Sequence, residues 1–339
     1  MKGPQAKSLP ARNSLPGLFF LLLVVTVVLR RTGGPPLHAV LAGARPSWLA
    51  VAGAAQVLFL LNQAAFYERL YRVVGLVYPF GRLLRTTLAA AALAAGPGGS
   101  LAGSALLCYD GIGSGASTQA VLMVTFLYYL LDYGAFLLVL IIAGLEALRG
   151  GLVTGRTFLP ALPLAGLVLF QALLLYSLVR RYTQLLAFAA RVTALLRRLP
   201  PRAAFERVAE RVERLLPWLS ELRETVKALR HRPALLVWPV LHALLVEVLS
   251  IATLAATFAA FREPLPLDRF LVGYAAGMLA MIVSVTPGGL GVAEGVMVAV
   301  YHALGIPLAT ATLVTLVFRG ITFWLPVAGG FLLLAGVGK

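Results

Sequence analysis

One segment in the second half of the sequence combines a backbone break with a charged residue. Residues 287–291 have the sequence PGGLG and interrupt an apolar stretch, and Glu294 follows them by about one helical turn. Proline removes a backbone donor and glycine admits non-helical angles, so the run should end one helix and let another begin. The first N–H groups of that second helix have no partner within it, and the helix dipole adds positive potential. The segment therefore predicts a seat for an anion.

Arg319 is the second charged residue of this region and lies in the middle of the next apolar stretch. A charge within a membrane span costs about 2.5–3.5 kcal/mol on insertion scales, so it normally faces a cavity or a charged partner. Its planar guanidinium suits bidentate binding of phosphate. Glu294 would hold Arg319 while the site is empty, or pair with a cationic group of the substrate. The candidate residues for a lipid headgroup are Pro287, Gly288, Gly289, Gly291, Glu294 and Arg319.

A purely structural interpretation of Glu294 and Arg319 stays open. The two side chains could form an ion pair that fixes the register of neighbouring helices. Exchanging the two charges separates the interpretations, because a swapped pair would restore the attraction but would place no guanidinium at a phosphate site.

Weaker candidates lie elsewhere in apolar stretches. A second Pro-Gly-Gly begins at Pro97 and predicts a second break of the same kind. Asp132, in a tyrosine-rich run, is expected to hydrogen-bond to a tyrosine or to face a central cavity. His242 and Glu247 are five residues apart and share no helical face at ideal spacing, which disfavours a joint proton relay. The secondary candidates are Pro97, Gly98, Gly99, Gly103, Asp132, His242 and Glu247.

The other reactive residue types form no catalytic or metal-binding pattern. The four histidines have no ligand spacing, Cys108 is the single cysteine, and the HExxH, Walker A and nucleophile-elbow motifs are absent from the sequence. The sequence therefore predicts no metal site, no cofactor and no covalent catalysis.

The composition determines the class of protein. Apolar residues make up 60% of the sequence and charged residues 12%, which lies outside the range of soluble domains. A span needs roughly 20 apolar residues. The sequence predicts an all-α, polytopic membrane protein with about six full spans and two broken, re-entrant helical hairpins. The predicted spans cover residues 15–29, 48–67, 118–148, 157–179, 233–261 and 308–337, and the hairpins cover 84–109 and 270–304.

A basic segment at residues 180–232 separates two membrane halves, 1–179 and 233–339. It holds thirteen Arg/Lys and five Glu, a net charge of 13 − 5 = +8, and apolar residues recur in it at helical spacing. We predict a hairpin of two amphipathic helices joined at Pro200-Pro201. It is interpreted as a platform on anionic lipid headgroups or a docking face for a partner, or as a solvated connector. The net charge of +16 then indicates an anionic membrane surface rather than nucleic acid.

The distribution of basic residues predicts the orientation of the chain. Cytoplasmic loops are rich in Lys and Arg, so the N-terminus and the basic segment are expected in the cytoplasm. Counting spans outward from that segment places both ends of the first hairpin inside and both ends of the second outside. The two breaks would then enter from opposite faces, as in an inverted repeat. Simple spanning helices are the alternative.

Residues 287–294, followed by Arg319 and by WLP at 324–326, resemble the membrane domain of the lysylphosphatidylglycerol synthases, a flippase-like family. The run PGGSLAG at 97–103 is similar to that family's first glycine-rich break, and the similarity extends over about residues 15–334. The resemblance implies an inner-membrane protein that moves an anionic phospholipid or an isoprenoid-phosphate-linked lipid between leaflets. It places Pro287, Gly288, Gly289, Gly291, Glu294 and Arg319 on the family motif.

The resemblance also bears on enzymatic activity. The full synthases carry a soluble aminoacyl-transferase domain after the membrane part, whereas this sequence stops at Lys339. We therefore expect no enzyme, and lysyl transfer to phosphatidylglycerol is the least favoured function. A lipid flippase is the leading hypothesis. The alternative is a non-catalytic membrane partner of a separately encoded lipid synthase or glycosyltransferase. Nucleic acid is not an expected partner, and the oligomeric state stays open.

Overall fold

A computed structural model describes residues 43–96, 99–151, 182–198, 232–263, 265–284 and 286–336, and scattered positions between 166 and 227. Over these residues the chain is helical, and no strand occurs among them. The helices are α1 Pro46–Val73, α2 Phe80–Ala94, α3 Gly99–Gly113, α4 Thr118–Arg149, α5 Tyr182–Leu196, α6 Ala234–Ala260, α7 Leu267–Val283, α8 Val292–Ala303, α9 Leu308–Arg319 and α10 Leu325–Gly336.

Four helical stretches among the described residues are long and apolar enough to cross a membrane. They are α1, α4, α6 and the stretch Leu308–Leu333, in which α9 continues into α10 through the π-helical turn Gly320–Trp324. Large apolar side chains such as Leu58, Ile141 and Val248 remain exposed on α1, α4 and α6. An apolar exterior of this kind suits hydrocarbon rather than water.

These stretches confirm the all-α, polytopic fold and agree with four of the six predicted spans. The helices begin or end a few residues from the predicted limits, most clearly at α1, which continues to Val73 rather than residue 67. The predicted span 15–29 lies outside the described residues, as does most of 157–179. Of the basic segment 180–232, the structure describes α5 and single positions, so the Pro-Pro corner also lies outside them.

The first hairpin consists of α2 and α3, each of 15 residues. At 1.5 Å per residue each helix is about 22 Å long, too short for a hydrocarbon layer of about 30 Å. The helices run antiparallel, because Arg82 in α2 binds Asp110 in α3 while Gly103 faces Ala90. A Cβ at Gly103 would lie 2.7 Å from the Ala90 carbonyl oxygen, so glycine lets the two backbones touch. Pro97 and Gly98 lie outside the described residues.

The second hairpin consists of α7 and α8, of 17 and 12 residues. The break between them contains a single 3₁₀ turn, Pro287–Gly289, and Gly288 has φ 60° there. The backbone break predicted from PGGLG is therefore present, and the hairpin extends over 267–303 rather than 270–304. Gly273 and Gly277 of α7 face Tyr301 and Met297 of α8, where a Cβ would clash with either side chain.

The two hairpins meet at their breaks and open toward opposite ends of α1. A Cβ on Gly99 would lie 3.8 Å from Cα of Pro287. The open end of the first hairpin lies at the C-terminal end of α1, where Tyr71 stacks on Tyr78 at 4.8 Å between ring centroids.

The open end of the second hairpin lies at the other end of α1. Phe258, near the end of α6, packs on Phe270 and Tyr301 of that hairpin. The Ala260 carbonyl, also at the end of α6, accepts from the Arg45 N–H at the start of α1 at 2.9 Å. This is the arrangement that an inverted repeat requires.

Candidate functional site

A cavity of about 700 Å³ lies where the two hairpin breaks meet. Its walls come from both hairpins and from α1, α4, α6 and α9, and Gly99, Pro287, Gly288 and Gly289 bring backbone into its lining. Non-helical backbone at membrane depth persists only inside protein or beside water, because hydrocarbon offers no hydrogen-bond partners. The fold therefore places the described residues of both breaks beside a cavity rather than against hydrocarbon.

Arg319 lies in the cavity wall and is 3% exposed. Its Nε donates to Glu294 Oε1 at 2.6 Å, and one terminal nitrogen donates to the carbonyl of Gly288 at 2.8 Å. The other terminal nitrogen lies 3.6 Å from the sulfur of Met281. The guanidinium therefore holds α8, the break and α7 together through three of its five N–H groups.

Glu294 lies behind Arg319 and is not part of the cavity lining. It is the third residue of α8, and its Oε2 accepts from the Gly291 N–H at 2.8 Å. The sequence predicted that N–H groups at this helix start would be free to bind an anion. In the structure the carboxylate of Glu294 itself binds the Gly291 N–H. The helix start and Arg319 therefore share one buried carboxylate, in agreement with the predicted pairing of Glu294 with Arg319.

Glycine is required at the break because side chains close over it. Gly288 and Gly289 have φ of 60° and 70°, backbone angles that L side chains rarely adopt. A Cβ on Gly288 would lie 2.4 Å from the ring of Phe323, and one on Gly289 would lie 2.9 Å from Cα of Met281. The break is thus packed against α7 and against the helix that carries Arg319.

The π-helical turn Gly320–Trp324 follows directly after Arg319. It places the Phe323 ring under the guanidinium, at 4.7 Å from the guanidinium carbon to the ring centroid. Single π-helical turns within α-helices are frequent at functional sites. The sequence offered no signal for this turn.

Asp132 and Glu247 both line the cavity, from α4 and α6. The hydroxyl of Tyr274 donates to Glu247 Oε2 at 2.8 Å. Asp132 has no hydrogen-bond donor within reach in the part of the chain that the structure describes, although Tyr67, Tyr128 and Tyr129 surround it on the cavity wall. Of the two alternatives predicted for Asp132, the structure favours the cavity.

Several buried polar atoms on the cavity wall have no partner among the described residues. They are Nε2 of Gln56, Oε1 of Gln63 and Oγ1 of Thr87. The amide of Gln63 donates from its nitrogen to the hydroxyl of Tyr128 at 3.0 Å. These atoms have almost no accessible surface, so the unpaired groups lie within the packed wall and not at the cavity surface. Sequence reasoning missed Gln56 and Thr87, which carry no charge and no motif.

His242 lies apart from the cavity. Its Nδ1 is 2.6 Å from Oδ1 of Asn62, and the Asn62 amide donates to the His242 carbonyl at 3.0 Å. These contacts join α6 to α1, as hydrogen bonds from Asn side chains commonly do between membrane helices. The structure thus separates His242 from Glu247, as their spacing indicates. Gly103 lines the cavity and serves the close packing of α2 on α3.

A polar cluster that the sequence did not reveal ties the open end of the first hairpin. Arg82 donates to Asp110 Oδ1 through Nε at 2.9 Å and Nη2 at 2.6 Å, Thr86 donates to Oδ2 at 2.9 Å, and the Tyr78 hydroxyl also donates to this carboxylate. Partial burial raises the pKa of Asp110, but the hydrogen bonds from Arg82, Tyr78 and Thr86 outweigh it and leave the pKa below its ordinary value.

Together these features define a polytopic α-helical membrane protein in which two re-entrant hairpins meet at a cavity with charged and polar side chains in its wall. The chain belongs to the lysylphosphatidylglycerol synthase TM region family, whose model matches residues 14–330. The family confirms the resemblance that the two glycine-rich breaks suggested.

Two curated membrane proteins are similar to part of the chain. A UPF0104 membrane protein of Pyrococcus horikoshii is 31% identical over 123 residues, which are 36% of this chain and 37% of that protein. A UPF0104 membrane protein of Methanothermobacter thermautotrophicus is 29% identical over 126 residues, 36% of either chain. The chain thus spans little more than a third of the length of these relatives.

Proposed function

We propose that this protein binds the anionic headgroup of a phospholipid or isoprenoid-phosphate lipid in its central cavity and moves that lipid between leaflets. It acts as a flippase-like transporter and not as an enzyme. The observation that carries the proposal is the meeting of two hairpin breaks, from opposite ends of α1, at a cavity that contains Arg319.

The size of the cavity and the polar side chains in its wall support a headgroup as its occupant. Ligand pockets measure about 300–1,000 Å³, and this one measures about 700 Å³. Ser104, Tyr129, Asp132 and Arg319 are among the polar residues that line it. The acyl chains would stay against the apolar exterior of the long helices while the headgroup occupies the cavity.

Arg319 is the proposed phosphate ligand. Three of its five N–H groups are used by Glu294, Gly288 and Met281, which leaves two for a phosphate oxygen. Glu294 holds the guanidinium in place. The candidate residues at the break, Pro287, Gly288 and Gly289, shape the wall beside it, and Gly291 and Glu294 support it from behind.

The arrangement of the hairpins supports the proposed movement of the lipid. Each hairpin opens toward a different end of α1, so separation at one break or the other would expose the cavity to one leaflet at a time. We further propose that the basic segment 180–232 and the N-terminus face the cytoplasm of an inner membrane. Arg69 near the end of α1 lies 5.4 Å from the ring of Trp238 near the start of α6, so the basic segment enters at the end where the first hairpin opens.

Reconstitution in liposomes tests the proposal. We expect the purified protein to accelerate leaflet exchange of a fluorescent phosphatidylglycerol, and the double variant Glu294→Gln, Arg319→Gln to lose that acceleration while it stays folded. Arg149→Gln is the matched control, because its ion pair with Glu146 lies exposed at the end of α4.

Exchange at the protein-free rate for every anionic lipid tried would overturn the proposal. If the basic segment then captured a separately encoded lipid synthase or glycosyltransferase, the function would be that of a non-catalytic partner.

A further inference from the structure

Two acidic residues share the cavity wall, and the proposed phosphate site does not use either of them. Asp132 projects from α4 and Glu247 from α6, and their carboxyls are close enough to interact electrostatically. Tyr274 of α7 donates a hydrogen bond to Glu247. The cavity therefore contains a pair of carboxyls as well as Arg319.

The groups that face this pair carry no free positive charge. Tyrosines approach from α1, α4 and α7, and α2 and α3 contribute only uncharged side chains to the described lining. Arg319 approaches from α9, but its guanidinium pairs with Glu294. Among the described residues no Lys or Arg lies within ion-pair distance of either acid. The titratable and charged groups that line the cavity together with the pair are Tyr67, Tyr128, Tyr129, Tyr133, Tyr274 and Arg319.

Two carboxylates in such a place repel each other and lose hydration without a compensating cation. An anionic headgroup in the same cavity would add a third negative charge. A proton bound by either carboxyl relieves both conflicts, because it removes one of the two negative charges. The cavity can then accept an anion beside Arg319.

We propose that Asp132 and Glu247 form a proton-binding site that takes up a proton from the aqueous phase as an anionic headgroup enters the cavity, and returns it as the headgroup leaves. This inference rests on the proposed function for the identity of the headgroup. The proton site itself follows from the two carboxyls and the neutral groups around them.

Coupling of this kind is reciprocal. If the headgroup favours the protonated pair, then protonation favours the headgroup by the same factor. A linkage of one proton changes the apparent affinity for the anionic lipid by up to about tenfold per pH unit. Affinity should therefore rise as pH falls through the range in which the pair titrates, and it should level off once the pair is protonated.

Infrared titration in nanodiscs of phosphatidylcholine tests the proton site without any transported lipid. We expect the wild type to show a protonated-carboxyl band that disappears as pH is raised. Asp132→Asn and Glu247→Gln should each change that band, whereas Glu146→Gln, an acid-to-amide change at the exposed end of α4, should leave it unchanged. A band that all three variants share with the wild type overturns the proposal.

Leaflet exchange of fluorescent phosphatidylglycerol as a function of pH tests the coupling. We expect the wild type to lose rate as pH rises, and Asp132→Asn and Glu247→Gln to exchange lipid with much weaker pH dependence, because the amides imitate the protonated acids. Wild-type pH dependence in both amide variants overturns the coupling. A titrating band without lipid exchange at any pH supports the proton site and contradicts the proposed function, so the two failures are distinguishable.

Discussion

The guanidinium of Arg319 donates to the main-chain carbonyl of Gly288 at 2.8 Å. Gly288 lies in the break, where its carbonyl has no partner within a helix. Arg319, in the last membrane-spanning stretch, supplies the hydrogen bond instead. Because Gly288 also lies against the ring of Phe323, one face of the break is fixed by α9 and the π-helical turn after it. The break and Arg319 therefore form one structural unit, and a change in either should affect the other.

Exchanging the charges of Glu294 and Arg319 is expected to fail as a rescue. The sequence indicated that a swap restores a structural pair. In the structure, however, Glu294 also accepts a hydrogen bond from the Gly291 N–H at the start of α8. An arginine at position 294 could not accept that hydrogen bond, because its side chain contains only donors. Its positive charge would also lie at the positive end of the helix dipole. Removing one partner of a buried ion pair costs about 3–5 kcal/mol, and we expect Glu294→Arg with Arg319→Glu to lose a comparable amount.

Thermal unfolding of the purified protein in detergent measures this effect. The comparison is the neutral pair Glu294→Gln with Arg319→Gln, in which each amide retains hydrogen-bonding capacity. We expect the neutral pair to be more stable than the swapped pair. A swapped pair with wild-type stability would show that the capping contact of Glu294 contributes nothing.

Much of the fold could be predicted from the sequence, because a membrane-spanning segment must be apolar and must satisfy its own backbone hydrogen bonds. Long apolar stretches predicted the spans, and Pro-Gly-Gly predicted the breaks, since each rests on local chemistry. The pairing of Glu294 with Arg319 was accessible because a lone charge in a span needs a partner. The cluster around Asp110 could not be predicted, because it depends on which helices become neighbours, and the π-helical turn gave no signal in the sequence. The capping contact of Glu294 is local to the start of α8 and has the spacing of a capping box, so it was overlooked rather than hidden.

Gly288→Ala is expected to destabilise the protein and to reduce lipid exchange. The new methyl group would meet the Phe323 ring at 2.4 Å, at a φ of 60°. Overpacking and backbone strain cost about 1–3 kcal/mol each. Gly295→Ala is the matched control in α8, because a Cβ there has nothing within 4 Å and alanine favours a helix interior. Melting temperature and exchange rate should both fall for Gly288→Ala and stay at or above wild-type values for Gly295→Ala.

Adjacent glycines in α10 should respond in opposite ways to the same substitution. A Cβ at Gly330 would lie 2.1 Å from the Leu88 carbonyl oxygen, which holds α10 directly against α2, whereas a Cβ at Gly329 would meet the Leu88 side chain at an ordinary 3.9 Å. We therefore expect Gly330→Ala to lower the melting temperature and to loosen the first hairpin, as shown by faster hydrogen exchange in α2. Gly329→Ala should be tolerated. Equal effects of the two substitutions would contradict the close packing of α10 on α2.

Acid should weaken the open end of the first hairpin through Asp110. Hydrogen bonds from Arg82, Tyr78 and Thr86 hold the pKa of this carboxyl below its ordinary value in the folded protein. A group with a lowered folded pKa adds stability that is fully present above its unfolded pKa of about 4 and is lost as pH falls through the folded pKa. Hydrogen exchange in α2 and α3 should therefore show local opening below about pH 4. Asp110→Asn should open this end already at neutral pH and should flatten its acid response, because the amide cannot lose a charge.

Glu68→Gln is the control for this prediction. Glu68 pairs with Arg72 near the same end of α1 but does not join the hairpin, so hydrogen exchange of this variant should respond to acid as the wild type does. An Asp110→Asn protein with the wild-type acid response would assign the opening to another group.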